Sequence, residues 1–241
     1  MNYLIFPDDP STSFMSVALE GVMSAGLGDK LEVITCSASN AAYEEAFAKI
    51  SKIPTGSRVI FIGHSTPTVL YGGEDNAFTR KPLIQLDTIS TFKDKELVLI
   101  SCFSSKLIES SRRHRNYAKC IGFGLLPSEL GEVDSHAGMR KIELEQDDID
   151  NFKAMLAGVI SDALCQMLEK DLDIFALFRY LKILLNKSAN DMIIKDKNEK
   201  TGVAGIFIDQ NGNNSINVIT GAANNISKKD IDNNLDRIKN S

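Results

Sequence analysis

The stretch RVIFIGHSTPT (Arg58–Thr68) carries four apolar residues, Val59 to Ile62, then a glycine, then a histidine. A run this short, rich in β-branched residues and bounded by Gly63 and Pro67, has the length of a strand rather than a helix. It does not alternate apolar with polar residues, so both of its faces must be covered, as in the interior of a parallel sheet. A second stretch, ELVLISCFSS (Glu96–Ser105), has the same shape and ends in a cysteine instead. The histidine at position 64 and the cysteine at 102 therefore stand at equivalent ends of two buried strands.

Outward from these two runs the chain alternates. NYLIF (2–6) reads as a strand, and STSFMSVALEGVMSAG (11–26) follows with helical periodicity behind a Ser/Thr cap. KLEVITCS (30–37) is a second strand, and SNAAYEEAFAKISK (39–52) is an amphipathic helix closed before Pro54. KPLIQLDTISTF (81–92) reads as a short helix or helical turn, SSKLIESSRRHRNYA (104–118) as a helix, and KCIGFG (119–124) as a fifth strand. Apolar strands separated by helices predict an α/β fold: a mostly parallel sheet with helices on both faces.

The pattern changes after residue 127. Residues 128–148 are polar and acidic and read as a long loop, in which Arg140 is a candidate for self-cleavage. Residues 149–221 follow, with one or two long helices broken near Asp171–Asp173 and an Asn-Gly turn at 211–212 that predicts a C-terminal β-hairpin. The expectation is one domain over 1–221, with its core in 1–127 and a frayed tail over 222–241, rich in Asn, Lys and Asp.

Composition excludes several classes of function. With 27 Lys and Arg against 32 Asp and Glu, the net charge is −5, which argues against a nucleic-acid surface. The basic cluster at Ser111–Lys119 reads as a solvated helix face. No apolar run approaches the ~20 residues of a membrane span, and the N-terminus lacks the basic start of a signal peptide, so a cytoplasmic protein is expected. Four cysteines (36, 102, 120 and 165) without paired spacing read as free thiols, and three scattered histidines predict neither a metal site nor a cofactor. Cys36, Cys120 and Cys165 read as small core residues, and His114 and His136 as solvent-facing.

In parallel sheets, functional groups gather where loops leave the carboxyl ends of the strands. Neighbouring strands run ~4.8 Å apart, so His64 and Cys102 can face one substrate carbonyl. A thiol is a poor nucleophile while protonated, and an adjacent imidazole takes its proton and later returns one to the leaving amine. The helix starting near Ser104 adds backbone N–H donors for an oxyanion. A Cys-His pair in this place is a coherent acyl-transfer site.

The order apolar strand–His64, then apolar strand–Cys102, over roughly residues 1–130, resembles the caspase-like cysteine peptidases, including bacterial members. VIFIGHS is similar to their strand ending in His-Gly, LVLISCFSS to their strand ending in Ala-Cys or Ser-Cys, and KCIGFGLLPSE to their next strand. The resemblance implies Cys102 as nucleophile, His64 as general acid/base, and the backbone N–H groups of Ser65 and Cys102 as the oxyanion hole. Ser65 stands where the family usually has glycine, and Ser104 and Ser105 stand near another usual glycine. It further implies a protein substrate, with Asp8 or Asp9 in FPDDPS pairing with an Arg or Lys before the cut, and for bacterial relatives a role in defence or regulated death.

Two other readings stand beside it. GHSTP (63–67) overlaps the G-x-S-x-G elbow of α/β-hydrolases, with Ser65 as nucleophile, although Pro67 replaces the last glycine and TPTVLYGG is not the helix such an elbow feeds. Alternatively, the fold serves as a non-catalytic interaction module that presents its C-terminal helices.

Overall fold

The computed structural model describes residues 1–111, 117–135, 144–199 and 216–220. Its strands are β1 (Asn2–Pro7), β2 (Leu31–Cys36), β3 (Arg58–Ile62), β4 (Ser65–Thr66), β5 (Val69–Tyr71), β6 (Pro82–Gln85), β7 (Glu96–Ile100), β8 (Lys119–Phe123) and β9 (Ile216–Thr220). Its α-helices are α1 (Ser16–Ser24), α2 (Asn40–Ser51), α3 (Ser104–Ser110), α4 (Leu130–Ser135), α5 (Gln146–Lys170) and α6 (Ile174–Glu199). The main sheet runs β2-β1-β3-β7-β8-β9, parallel from β2 to β8, with β9 antiparallel at the edge.

Successive strand residues point to opposite faces, and here both faces are buried. Leu4, Ile60, Ile62, Val98, Ile100 and Phe123 pack in one core with residues of α1, α5 and α6. Ile5, Val59, Phe61, Leu97, Leu99 and Cys120 pack on the other side with residues of α2, α3, β5 and β6. Val59 to Phe61 are fully buried, and Ile62 is nearly so. Burying each large apolar side chain contributes about 1.5–3 kcal/mol before chain entropy is counted. That is why the two apolar runs sit at the centre of the sheet.

Local signals set the helix ends. The Ser39 side chain caps α2 by accepting from Ala42 N–H at 3.1 Å. A reciprocal capping box between Glu145 and Asp148 starts α5. Asp171, at φ 49°, ends that helix in a left-handed turn, and Asp173 then accepts from the N–H groups of Phe175 and Ala176 to start α6. The expected break at Asp171–Asp173 is thus two helix caps back to back.

Several expectations change in the structure. KPLIQLDTISTF is not a helix: it forms β6 and then a 3-10 turn at Ile89–Phe92. β6 pairs with β5, which pairs with β4, in a small antiparallel sheet beside the main one. Burial of Leu83 and Ile84 decides this, since pairing partners override weak local propensity. Residues 10–15 form a 3-10 helix rather than the first turns of α1. The 128–148 segment contains α4 and the start of α5. His114, His136, Arg140, the Asn-Gly turn and the 222–241 tail lie outside the described residues, and β9 alone represents the predicted hairpin.

One side chain ties the ends of two central strands together. The buried Ser104 hydroxyl accepts from Phe123 N–H at 2.8 Å and donates toward Leu99 O at 2.7 Å. Ser104→Ala is expected to cost about 1–3 kcal/mol in urea unfolding, because it leaves a buried N–H without its acceptor. A loss below about 0.5 kcal/mol, the range of an ordinary surface change, would remove this tie from the account.

Candidate active site at the ends of β3 and β7

β3 and β7 are parallel neighbours in a register that pairs Ile62 with Ile100. His64 follows Ile62 by two residues and Cys102 follows Ile100 by two, so the two side chains leave adjacent strands at matching heights. Both line one cavity of about 30 Å³, together with Gly63 and Ser101. Thr12, Phe14 and Met15 of the 3-10 segment, Leu126, Ser128 and Leu156 of α5 complete its wall. That volume holds roughly one or two waters.

The turn that presents Cys102 is sharp. Phe103 has φ 57° and ψ 15°, a left-handed conformation uncommon for a bulky residue. Its N–H donates to Gly124 O at 2.7 Å, which holds the turn closed. Behind it, α3 lies directly on β8: a Cβ at Gly122 would come within 2.8 Å of Ser105 N. Cys102 stays buried at the head of this turn.

The thiol is clamped by the backbone of a single residue. Cys102 Sγ donates to Leu126 O at 2.9 Å and accepts from Leu126 N–H at 3.2 Å. Burial pushes its pKa up to about 12, the negative charge of Glu132 adds to the rise, and the Leu126 bond offsets part of it. Glu132 itself accepts from Ser128 N–H at 2.7 Å and from Ser128 Oγ at 3.2 Å. In this state the sulfur is a protonated thiol.

His64 has different partners. Its Nε2 lies 2.5 Å from Ser11 Oγ and 3.8 Å from Asp9 Oδ1. Burial lowers its pKa below the usual value, with Arg80 acting in the same direction and Asp9, Glu132 and Glu74 opposing. The imidazole is therefore neutral at pH 7, the form that accepts a proton.

Ser65 is buried, and its hydroxyl bonds Ser101 Oγ at 2.8 Å and, at closer range, Cys102 O. It thus pins the Cys102 backbone to β4. Tyr71 N–H donates to His64 O at 3.0 Å, and Ser65 is the next position along this antiparallel ladder, opposite Leu70. Hydrogen-bonded and non-bonded pairs alternate in such ladders, so the Ser65 N–H points away from β5 and is not used by the ladder.

The two acidic residues expected to meet a substrate cation part company. Asp8 is exposed. Asp9 does not face outward: it caps the 3-10 helix, and its Oδ1 accepts from Ser11 N–H at 2.9 Å and from Ser11 Oγ at 2.7 Å. Its Oδ2 is buried without a hydrogen bond, 3.6 Å from Arg80 Nη1. Arg80 in turn grips Glu74 through Nε at 3.0 Å and Nη2 at 2.9 Å. Asp9 stands at the N-cap, with Pro10 as the first residue of the 3-10 helix. Its carboxylate therefore turns back to accept from Ser11 N–H, which is the physical reason for the difference.

Ser11, Glu74, Arg80, Leu126 and Glu132 escape sequence reasoning. Asp-Pro-Ser carries a local capping signal, but nothing in it announces a contact with His64. Among the described residues no helix is long and apolar enough to cross a membrane. No protein-family model matches the chain, and neither does any curated protein.

Proposed function

We propose that this chain is a cysteine endopeptidase of the caspase-like type, with Cys102 as nucleophile and His64 as general acid/base. The observation that carries the reading is the β3–β7 register, which brings an imidazole and a thiol from matching strand ends to one cavity. His64 takes the Sγ proton, and the thiolate attacks the peptide carbonyl carbon. The tetrahedral oxyanion is held by N–H groups of Ser65 and Cys102. As the C–N bond breaks, the imidazolium gives its proton to the leaving amine. Water, deprotonated by His64, then cleaves the thioester, which releases the acid and restores the thiol.

A protein substrate follows from this chemistry. The exposed Asp8 at the end of β1 favours a basic residue before the cut. A cytoplasmic location and a part in bacterial defence or regulated death belong to the same reading, on resemblance alone. The serine-hydrolase alternative has no support from Ser65, whose hydroxyl is buried and bonded to Ser101 and Cys102.

A peptidyl acyloxymethyl ketone with Arg at its reactive end, followed by peptide mapping, tests the proposal. Label on Cys102 that disappears in His64→Ala is the expected result. Label by a fluorophosphonate on Ser65 or Ser11 would overturn it. Full biological activity in Cys102→Ala would leave the interaction module in its place.

A further inference from the structure

We propose that Asp9 and Ser11 form a positioning relay that fixes His64 in its Nε2–H tautomer and leaves Nδ1 as the basic nitrogen. The proposal deepens the peptidase reading, since it concerns how the base of that site is prepared. It rests on one chain of hydrogen bonds. Ser11 Oγ sits between Asp9 Oδ1, at 2.7 Å, and His64 Nε2, at 2.5 Å.

A serine hydroxyl has one proton to give and two lone pairs to offer. A carboxylate is the stronger acceptor, so the proton goes to Asp9. The Ser11 oxygen is then an acceptor toward the ring, and the atom facing it must be Nε2–H. Neutral imidazole carries one N–H, so Nδ1 keeps its lone pair. This direction of donation also removes Ser11 as a rival nucleophile, because its proton is already committed away from the base.

The relay is held rigidly. Ser11 N–H donates to the same Asp9 oxygen at 2.9 Å, which closes a tight local ring. Asp9 Oδ2 lies 3.6 Å from Arg80 Nη1, and Arg80 is braced by two bonds to Glu74. A carboxylate oriented this way stabilises the imidazolium that forms when His64 takes the thiol proton. In the familiar triad a carboxylate bonds the ring directly. Here a serine stands between, and the direct Asp9–His64 separation is 3.8 Å.

Ring ¹⁵N spectra of histidine-labelled protein decide the matter, and with three histidines in the chain a His64→Gln variant assigns the signal. The wild type is expected to show protonated Nε2 and unprotonated Nδ1 at pH 7.5. Ser11→Ala and Asp9→Asn should give a mixture of tautomers, whereas Ser11→Thr, which keeps the hydroxyl, should restore the wild-type pattern. A dominant Nδ1–H form in the wild type overturns the relay, and this measurement needs no variant to fold. An unchanged tautomer in a folded Ser11→Ala protein overturns it equally. The readout does not depend on peptide hydrolysis, so loss of the peptidase reading and loss of the relay are separate outcomes. Where hydrolysis is measurable, Ser11→Ala should lower kcat by about 10- to 100-fold with little change in KM, the usual effect of losing a partner that orients a functional imidazole.

Discussion

Cys102→Ala is expected to lower peptide hydrolysis by at least about 10⁴-fold, the scale seen when a member of a nucleophilic triad is removed. The argument is chemical. The serines bonded nearest the pair are engaged elsewhere: the Ser65 hydroxyl is buried against Ser101 and Cys102, and the Ser11 proton points to Asp9. Stability should change little by comparison, within about 2 kcal/mol, because only one small side-chain atom is lost. Initial rates on a peptide panel ending in Arg, Lys, Asp or Asn, with urea melts of both proteins, provide the check. Residual activity above one part in a hundred would mean that the nucleophile lies elsewhere. A preference for Asp over Arg would reverse the expected specificity.

The second large effect concerns the resting thiol. With its pKa raised to about 12, Cys102 has far less thiolate at pH 8 than a free cysteine. The lower thiolate fraction slows alkylation by about 10³-fold, and the greater intrinsic nucleophilicity of a more basic thiolate recovers part of this. Mapping of iodoacetamide-treated native protein should therefore show Cys102 reacting about 10²- to 10³-fold more slowly than in urea. Its rate should rise about tenfold per pH unit from pH 8 to pH 11, because the thiolate fraction grows tenfold per unit below the pKa. Glu132→Gln should speed the reaction, since the Glu132 charge helps to hold the proton on sulfur. A plateau near pH 8.5 would contradict the Leu126 clamp as the resting state.

The two titrating groups give hydrolysis a definite acid limb. His64 must be neutral to accept the thiol proton, and burial lowers its pKa below 6.5. Activity should thus persist to lower pH than an ordinary imidazole would allow, with its acid limb displaced to the acid side of the usual histidine range. Stability moves with it. A histidine whose folded pKa is depressed loses stabilisation as pH falls through the ordinary value of about 6.5, because the unfolded chain takes up the proton first. The thiol and the neutral imidazole are each hydrogen-bonded to another partner. On the peptidase reading this is a resting centre, and release of the sulfur from Leu126 comes before attack.

Much of this was legible from short runs. Val59–Ile62 and Leu97–Ile100 announce buried parallel strands because neither alternates, and their shared shape puts His64 and Cys102 in equivalent places. The helix break at Asp171–Asp173 was legible because caps are written in neighbouring residues. The β4–β6 sheet was not, since β6 owes its form to pairing with β5 and to burial of Leu83 and Ile84 rather than to its own propensity. Asp8 and Asp9 stand as equal candidates for a substrate cation in the sequence, because a capping aspartate and an exposed one look the same in a string of letters.

Amino-acid order alone determined the α/β architecture, the central pair of strands and the two side chains at their ends, because periodicity and apolar content act over five or six residues. Only the tertiary structure decided what those side chains touch. Ser11 reaches His64 across 53 positions and Leu126 reaches Cys102 across 24, and contacts that distant in the chain leave no local pattern. They exist because a parallel sheet collects the loops from one end of every strand into a single crevice, whatever their separation along the chain.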